Sequence, residues 1–253
     1  MKTQEFKRSL AWTSLIGLLT VTTLAAQVGN LTEDEAFFDE ELDESAGVYD
    51  PFEGVNRFTF EFNDFVLSNA LQPLVDVYTE ITPDAVEEGA SNFFYNLRYP
   101  VRLVSNLLQF RLKGAWIETG RFAINSTAGI VGILTPADDY ESFAPIESED
   151  VGQVFGAWGI GEGPYLVLPF FGPSNLRDLA GLFGDRTINP IKEPFSMIED
   201  WDWEWQLATS GADYIARSPQ IIERYRKLKS SSIDTYSSLK NGYTQYRRGA
   251  VVE

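Results

Sequence analysis

The chain of 253 residues contains no cysteine and no histidine. Without cysteine there is no disulfide, no thiolate nucleophile and no thioether-linked lipid. Without histidine as well, a Ser-His-Asp triad, a Cys-His pair and a zinc site built from His or Cys are all excluded. A reaction would have to rest on carboxylates, Lys, Tyr or Ser alone. Positive charge is scarce too: 20 Lys and Arg stand against 37 Asp and Glu, a formal net charge of −17. Phosphate contacts on nucleic acid need clustered cations, so no nucleic-acid partner is expected. No cofactor or metal is expected. Beyond the N-terminus, no stretch reaches the ~20 uninterrupted apolar residues of a spanning helix.

Apolar and aromatic side chains are plentiful, at 44% and 14%, with 18 Phe and 6 Trp. They can fill a core or face lipid, and composition does not separate the two. The length suits one large domain or two small ones.

Lys2, Lys7 and Arg8 precede an apolar stretch from Leu10 to Leu24, and small residues Ala25 and Ala26 follow. This is the layout of a secretory signal over 1–26 with cleavage after Ala25 or Ala26. The alternative is a membrane anchor, for which the stretch is short. Leu24-Ala25-Ala26-Gln27 looks like a lipoprotein processing box with Gln27 in the cysteine position, so no lipidation is expected there. Removing 1–26 takes away three positive charges and one negative charge, leaving the mature chain near −19. Residues 27–49 carry Glu33, Asp34, Glu35, Asp39, Glu40, Glu41, Asp43 and Glu44, and their repulsion favours an extended, disordered acidic tether.

From Asp50 onward the pattern is helical. Asp50-Pro51 reads as an N-cap and first helical position, with Phe52, Val55, Phe58, Phe62, Phe65 and Val66 recurring at helical spacing. Further helices are expected from Thr82-Pro83-Asp84, after Pro100, over 113–127, over 148–158 capped by Ser148, and from a Ser174 cap to about Phe183. Longer ones are expected over 199–217, 219–230 and 233–248. Tyr165–Leu168, held between Pro164 and Pro169, reads as an extended connector rather than part of a sheet.

Two segments fit ordinary globular logic poorly. Gly129-Ile130-Val131-Gly132-Ile133-Leu134 is uncharged and interrupted by glycine, which suits a membrane-inserting hairpin or gate, or else a buried turn. Residues 156–173 are punctuated by Gly156, Gly159, Gly161, Gly163, Gly172 and by Pro164, Pro169, Pro173, which fix an irregular backbone. That run is a rigid turn or the wall of a lipid path. It lacks the Lys and the preceding strand of a phosphate loop. Trp201, Trp203 and Trp205 alternate with acids and suit a membrane interface or a core. The basic ends around Arg217–Lys229 and Arg247–Arg248 suit anionic headgroups or a solvated helix face.

Asp50-Pro51-Phe52-Glu53-Gly54-Val55-Asn56-Arg57 resembles the D-P-x-E-x-x-N-R element that opens MlaA (VacJ) proteins. The 156–178 run resembles that family's signature, through Gly156, Trp158, Gly159, Gly161, Gly163, Pro164, Tyr165, Pro169, Gly172 and Pro173 to Arg177-Asp178. Similarity extends in the family's order over 50–248, leaving 249–253 as a tail. The resemblance implies an all-α ring of short in-plane amphipathic helices around a central amphipathic pore, seated on the periplasmic side of the outer membrane. It implies transport of phospholipid from the outer leaflet to a periplasmic carrier of an ATP-driven system, in company with a trimeric porin. On that basis Glu53, Asn56, Arg57, Arg177 and Asp178 are candidates for a polar headgroup path, with helix-locking ion pairs as the alternative role. Gly129–Leu134 are candidates for the gate. The rivals are a carboxylate-based lipid hydrolase, made weak by the lack of histidine, and a non-catalytic porin-associated scaffold. Gln27 is the chief departure, because family members are usually lipidated on cysteine.

Overall fold

The computed structural model describes residues 47–190 and 203–252. The export segment, Gln27, the tether up to residue 46 and Trp201 lie outside the described residues. Helix α1 (Glu53–Val66) runs without a break through a widened turn at Leu67–Leu71 into α2 (Gln72–Ile81). Pro73 lies just past that turn, and its missing N–H and ring are a local cause of the widening. There follow α3 (Asp84–Leu97), α4 (Tyr99–Leu108) and α5 (Leu112–Thr127), then two single 3-10 turns at Pro136–Asp139 and Glu141–Phe143. Next come α6 (Val151–Ala157), strands β1 (Tyr165–Leu168) and β2 (Gly172–Asn175), and helices α7 (Leu176–Ile188), α8 (Trp203–Ser231) and α9 (Thr235–Val252).

The helical class expected from the sequence is what forms, and the packing passes from element to element in a closed circuit. The order is α1, the widened turn, α2, α8, α3, α4, α6, α9, the β ribbon and α1 again. Helix α5 packs on α3 and α4; α7 packs on α6, α4 and β2.

Several boundaries differ from expectation. Asp50 is not an N-cap: α1 starts at Glu53, and the Asp50 carboxylate accepts hydrogen bonds from Asn56, Tyr236 and Lys240. The short helix begins at Val151, not Ser148. Asp150 caps it in a reciprocal pair with Gln153 (2.8 and 2.7 Å). Asn175 rather than Ser174 caps α7 through Asp178 N–H. Pro219 does not divide α8. The carbonyl it leaves without a donor, that of Ile215, accepts from the Ser218 hydroxyl at 2.8 Å. Helix α9 continues through 249–252, the expected tail. At the other end, Val48 packs beside the aromatic cluster and the Tyr49 carbonyl accepts from Tyr165 N–H, so the tether ends earlier than 49.

Tyr165–Leu168 is a strand, paired antiparallel with Gly172–Asn175 despite Pro173. The reason is register. Val167 faces Pro173, but its N–H points away from β2 to Asn56, so the proline occupies a position where no ladder bond is needed.

Candidate functional site

Helix α1 inverts the usual relation between period and burial. Its apolar series is exposed, with Phe58 72% and Val55 66% accessible, while Asn56, Thr59 and Asn63 are buried at the same helical spacing. The two asparagines stand two turns apart and grip β1 by its backbone. Asn56 donates to Tyr165 C=O (3.0 Å) and accepts from Val167 N–H (2.8 Å). Asn63 donates to Leu168 C=O (2.9 Å) and accepts from Phe170 N–H (2.8 Å). Side-chain amides thus complete the free edge of the ribbon.

Helix α9 supplies the opposing wall from Tyr236, Lys240, Tyr243 and Arg247, which share one face at helical spacing. Tyr165 meets the rings of Tyr236 and Tyr243 edge-on, both 6.2 Å between centroids. Tyr243 donates to Asp178 at 2.7 Å. The Arg247 guanidinium lies between two carboxylates, with Asp178 at 2.9 Å and Asp150 at 2.6 Å. Burial opposes ionisation of Asp178, but Arg247, Arg177 and Tyr243 outweigh it and lower its pKa to about 2. Burial and the nearby Asp150 push Asp185 well above the ordinary carboxylate range. Burial also opposes ionisation of Asp50, yet the bonds from Tyr236, Asn56 and Lys240 hold it below the usual value.

Of the expected headgroup residues, Arg57 pairs with Asp234 (2.9 Å) and Glu53 (2.8 Å) and covers the Tyr236 ring at 4.3 Å. Glu53 and Arg57 remain partly exposed. Asn56, Arg177 and Asp178 are buried. Asn56 is engaged with β1, and Asp178 with Arg247, Arg177 and Tyr243. The structure joins the two groups of candidates through Tyr236, Tyr165 and Tyr243 rather than by direct contact. Sequence reading missed Asp150, Asp185, Tyr243 and the burial of Arg247. The Tyr236, Lys240, Tyr243, Arg247 spacing was the signal available. The basic ends expected to meet headgroups or water are largely paired or buried: Arg217 with Asp213, Arg226 with Asp76, Lys229 with Asp64, Arg248 with Glu162.

The glycine-interrupted loop is anchored from below and open above. Gly129 and Gly132 are buried, whereas Ile130, Val131, Ile133 and Leu134 are exposed, Ile130 by 62%. A buried core turn is therefore not what this loop is. Asn96 donates to Ser126 Oγ (2.9 Å) and Val131 C=O (3.4 Å), and Asn92 to Ile133 C=O (3.4 Å). Gly132, at φ +92°, lies against Asn96 where a Cβ has no room. Ile130 and Val131 are both left-handed, at φ 54° and 60°, an unusual conformation for β-branched residues.

In the 156–173 run, Gly156 lies against Val251 and Arg177, while Gly159, Gly163 and Gly172 take positive φ. Tyr165 and Pro173 are fully buried, and Gly161 and Pro169 are exposed. Trp158 donates to Leu108 C=O at 3.0 Å, and Pro164 C=O accepts from Leu176 N–H.

Among the described residues, more polar and charged side chains than apolar ones are buried, and large apolar side chains are spread over the surface. In a water-soluble domain the buried set is mainly apolar. Among the described residues no helix is long and apolar enough to cross a membrane, and no acidic group has the makings of a metal site.

A profile described as MlaA lipoprotein matches residues 48–250. An uncharacterized protein of Rickettsia bellii is 30% identical over 211 residues, spanning 81% of this chain and 77% of its own. The Escherichia coli K12 protein named intermembrane phospholipid transport system lipoprotein MlaA is 29% identical over 202 residues, 79% of this chain and 77% of its own. A solved structure described as the structural basis for maintenance of bacterial outer membrane lipid asymmetry superposes with a TM-score of 0.64 at 28% identity. It covers 80% of this chain and 98% of that one.

Proposed function

This chain belongs to the MlaA lipoprotein family, and from that membership we propose that it moves phospholipid out of the outer leaflet of the outer membrane to the periplasmic side. The observation that carries this reading is the distribution of polarity: an interior rich in polar side chains and ion pairs, with many large apolar side chains exposed. Such a body lies in a lipid leaflet with its helices in the membrane plane. The closed circuit of helices supports a central passage, polar for the headgroup and apolar on the flank for the acyl chains. We assign the headgroup contacts to Glu53 and Arg57, the candidates that keep exposed charge. Asn56, Arg177 and Asp178 hold the frame. The loop Gly129–Leu134 is the gate.

The transport is passive and needs no chemistry on the lipid, so this reading is not enzymatic. Its expected partners are phospholipids, a trimeric outer-membrane porin and a periplasmic carrier of an ATP-driven system. Export by the 1–26 signal places it on the periplasmic side. With Gln27 in place of cysteine, the exposed apolar side chains and the porin do the anchoring.

The test is outer-leaflet phospholipid in cells lacking the gene, read by a surface-specific lipid modification, with fractionation of the wild-type protein. Transport requires a rise in surface phospholipid and protein in the outer membrane. No rise, with a soluble periplasmic protein, refutes it. Silent gate variants combined with sensitive porin-facing ones would favour the scaffold reading.

A further inference from the structure

Helix α4 ends in a turn that glycine ordinarily closes. Phe110 N–H donates to Leu107 C=O (3.0 Å) and Arg111 N–H to Asn106 C=O (2.9 Å), the paired bonds of a Schellman motif. The residue at its left-handed position is Phe110, at φ 60°. A Cβ is unfavourable there, and the aromatic ring gains little in return from the described residues, because Phe110 is 86% exposed. Its exposed neighbours are Leu107, Leu108, Leu112 and Trp116, and Trp158 is tied to the same turn through Leu108 C=O.

The charge around this tip differs from that of the rest of the chain. No Asp or Glu occurs from Gly89 to Ile117, in a protein with 37 of them, while Arg98, Arg102, Arg111 and Lys113 do. Lys113 is exposed beside the tip, and Arg111 pairs with Glu149 while staying partly accessible. An apolar point flanked by cations complements an anionic lipid surface: acyl chains for the rings, phosphates for the cations.

We propose that the α4–α5 turn is a wedge whose Phe110 inserts into the acyl region of the phospholipid leaflet, with Lys113 and Arg111 at the phosphate level. This deepens the membrane reading above and rests on it. Phe110→Gly separates the two roles of the residue. Glycine relieves the left-handed turn, so the thermal midpoint in detergent holds or rises. Partition of the full chain into phosphatidylethanolamine–phosphatidylglycerol vesicles falls about tenfold or more, the scale of one lost aromatic burial. Unchanged partition overturns the wedge.

Since the chain has no cysteine, Leu112→Cys gives a unique fluorophore site. In vesicle-bound protein, spin labels in mid-chain lipid should quench a label at 112, and should spare one at Lys227→Cys. Protein that floats with vesicles while its 112 label stays open to aqueous iodide overturns the wedge alone. Protein that never floats removes the membrane reading with it. A 112 label shielded only when porin is added reassigns the turn to a protein partner and overturns the proposal.

Discussion

Arg247 near the end of α9 and Asp178 in the first turn of α7 meet in a two-point ion pair, Nε to Oδ2 and Nη2 to Oδ1 both at 2.9 Å, with both residues buried. The same guanidinium reaches Asp150, the cap of α6, so one side chain fixes three helices. Arg247→Met strands two buried carboxylates and should cost roughly 3–5 kcal/mol. Denaturant unfolding in detergent measures it. A loss below about 1 kcal/mol would mean that α6 and α7 hold together without this hub. Arg247→Lys should recover only part of the loss, since an ammonium cannot make the paired contact.

Asp178 sets an acid limit. Its pKa falls from an ordinary 3.8 to about 2 in the fold, against burial, through Arg247, Arg177 and Tyr243. A lowered carboxylate contributes stability above its unfolded pKa and loses it as pH drops through the folded value. The window is therefore roughly pH 4 down to 2, and the contribution about 2 kcal/mol. Asp50 is lowered as well and acts in the same direction. Melting temperature against pH should fall less steeply across this window in Asp178→Asn, from a lower starting stability. An unchanged slope would assign the acid sensitivity to other groups.

Asn63→Leu removes the donor to Leu168 C=O and the acceptor for Phe170 N–H while keeping the helical residue count and side-chain size. Phe170 N–H loses its partner, at a cost of about 1–3 kcal/mol, while Leu168 C=O keeps a bond from Phe171 N–H (3.1 Å). Loss of amide-exchange protection at residues 165–170, in a chain whose other helices stay protected, is the expected result. Uniform protection would show that Asn56 alone holds the ribbon to α1 and that Asn63 is dispensable.

The gate loop separates flux from stability. Ile130 and Ile133 are exposed, and Asn tolerates the left-handed φ of 54° at position 130 better than Ile does, so Ile130→Asn with Ile133→Asn should leave folding stability level or raise it slightly. Surface phospholipid, or lipid transfer in reconstituted vesicles, should change severalfold. Normal flux in the folded variant removes the gate assignment. Gly132→Ala should act otherwise, through stability as well, because its φ of +92° and the nearby Asn96 leave no room for a methyl group.

The sequence by itself determined the helical class and the rough place of most helices, because prolines and 3.6-residue periodicity are local, whereas the caps expected at Asp50, Ser148 and Ser174 each gave way to other residues. It also determined what chemistry is absent, and the motif order at Asp50–Arg57 and 156–178 that carries the family resemblance. It did not say which way each helix faces. Phe52, Val55, Phe58 and Phe62 have the spacing of a core stripe, and only the fold puts them outside and Asn56 and Asn63 within. The period of an amphipathic helix is the same whether its apolar side meets protein or lipid. The pairing of Tyr165–Leu168 depended on asparagines more than a hundred residues away, and the continuity of α8 through Pro219 on a neighbouring hydroxyl. The roles of Arg177, Asp178 and Arg247 likewise belong to tertiary structure, since the same charges can bind a headgroup or lock helices together. Only burial and the position of the opposing charges decide which.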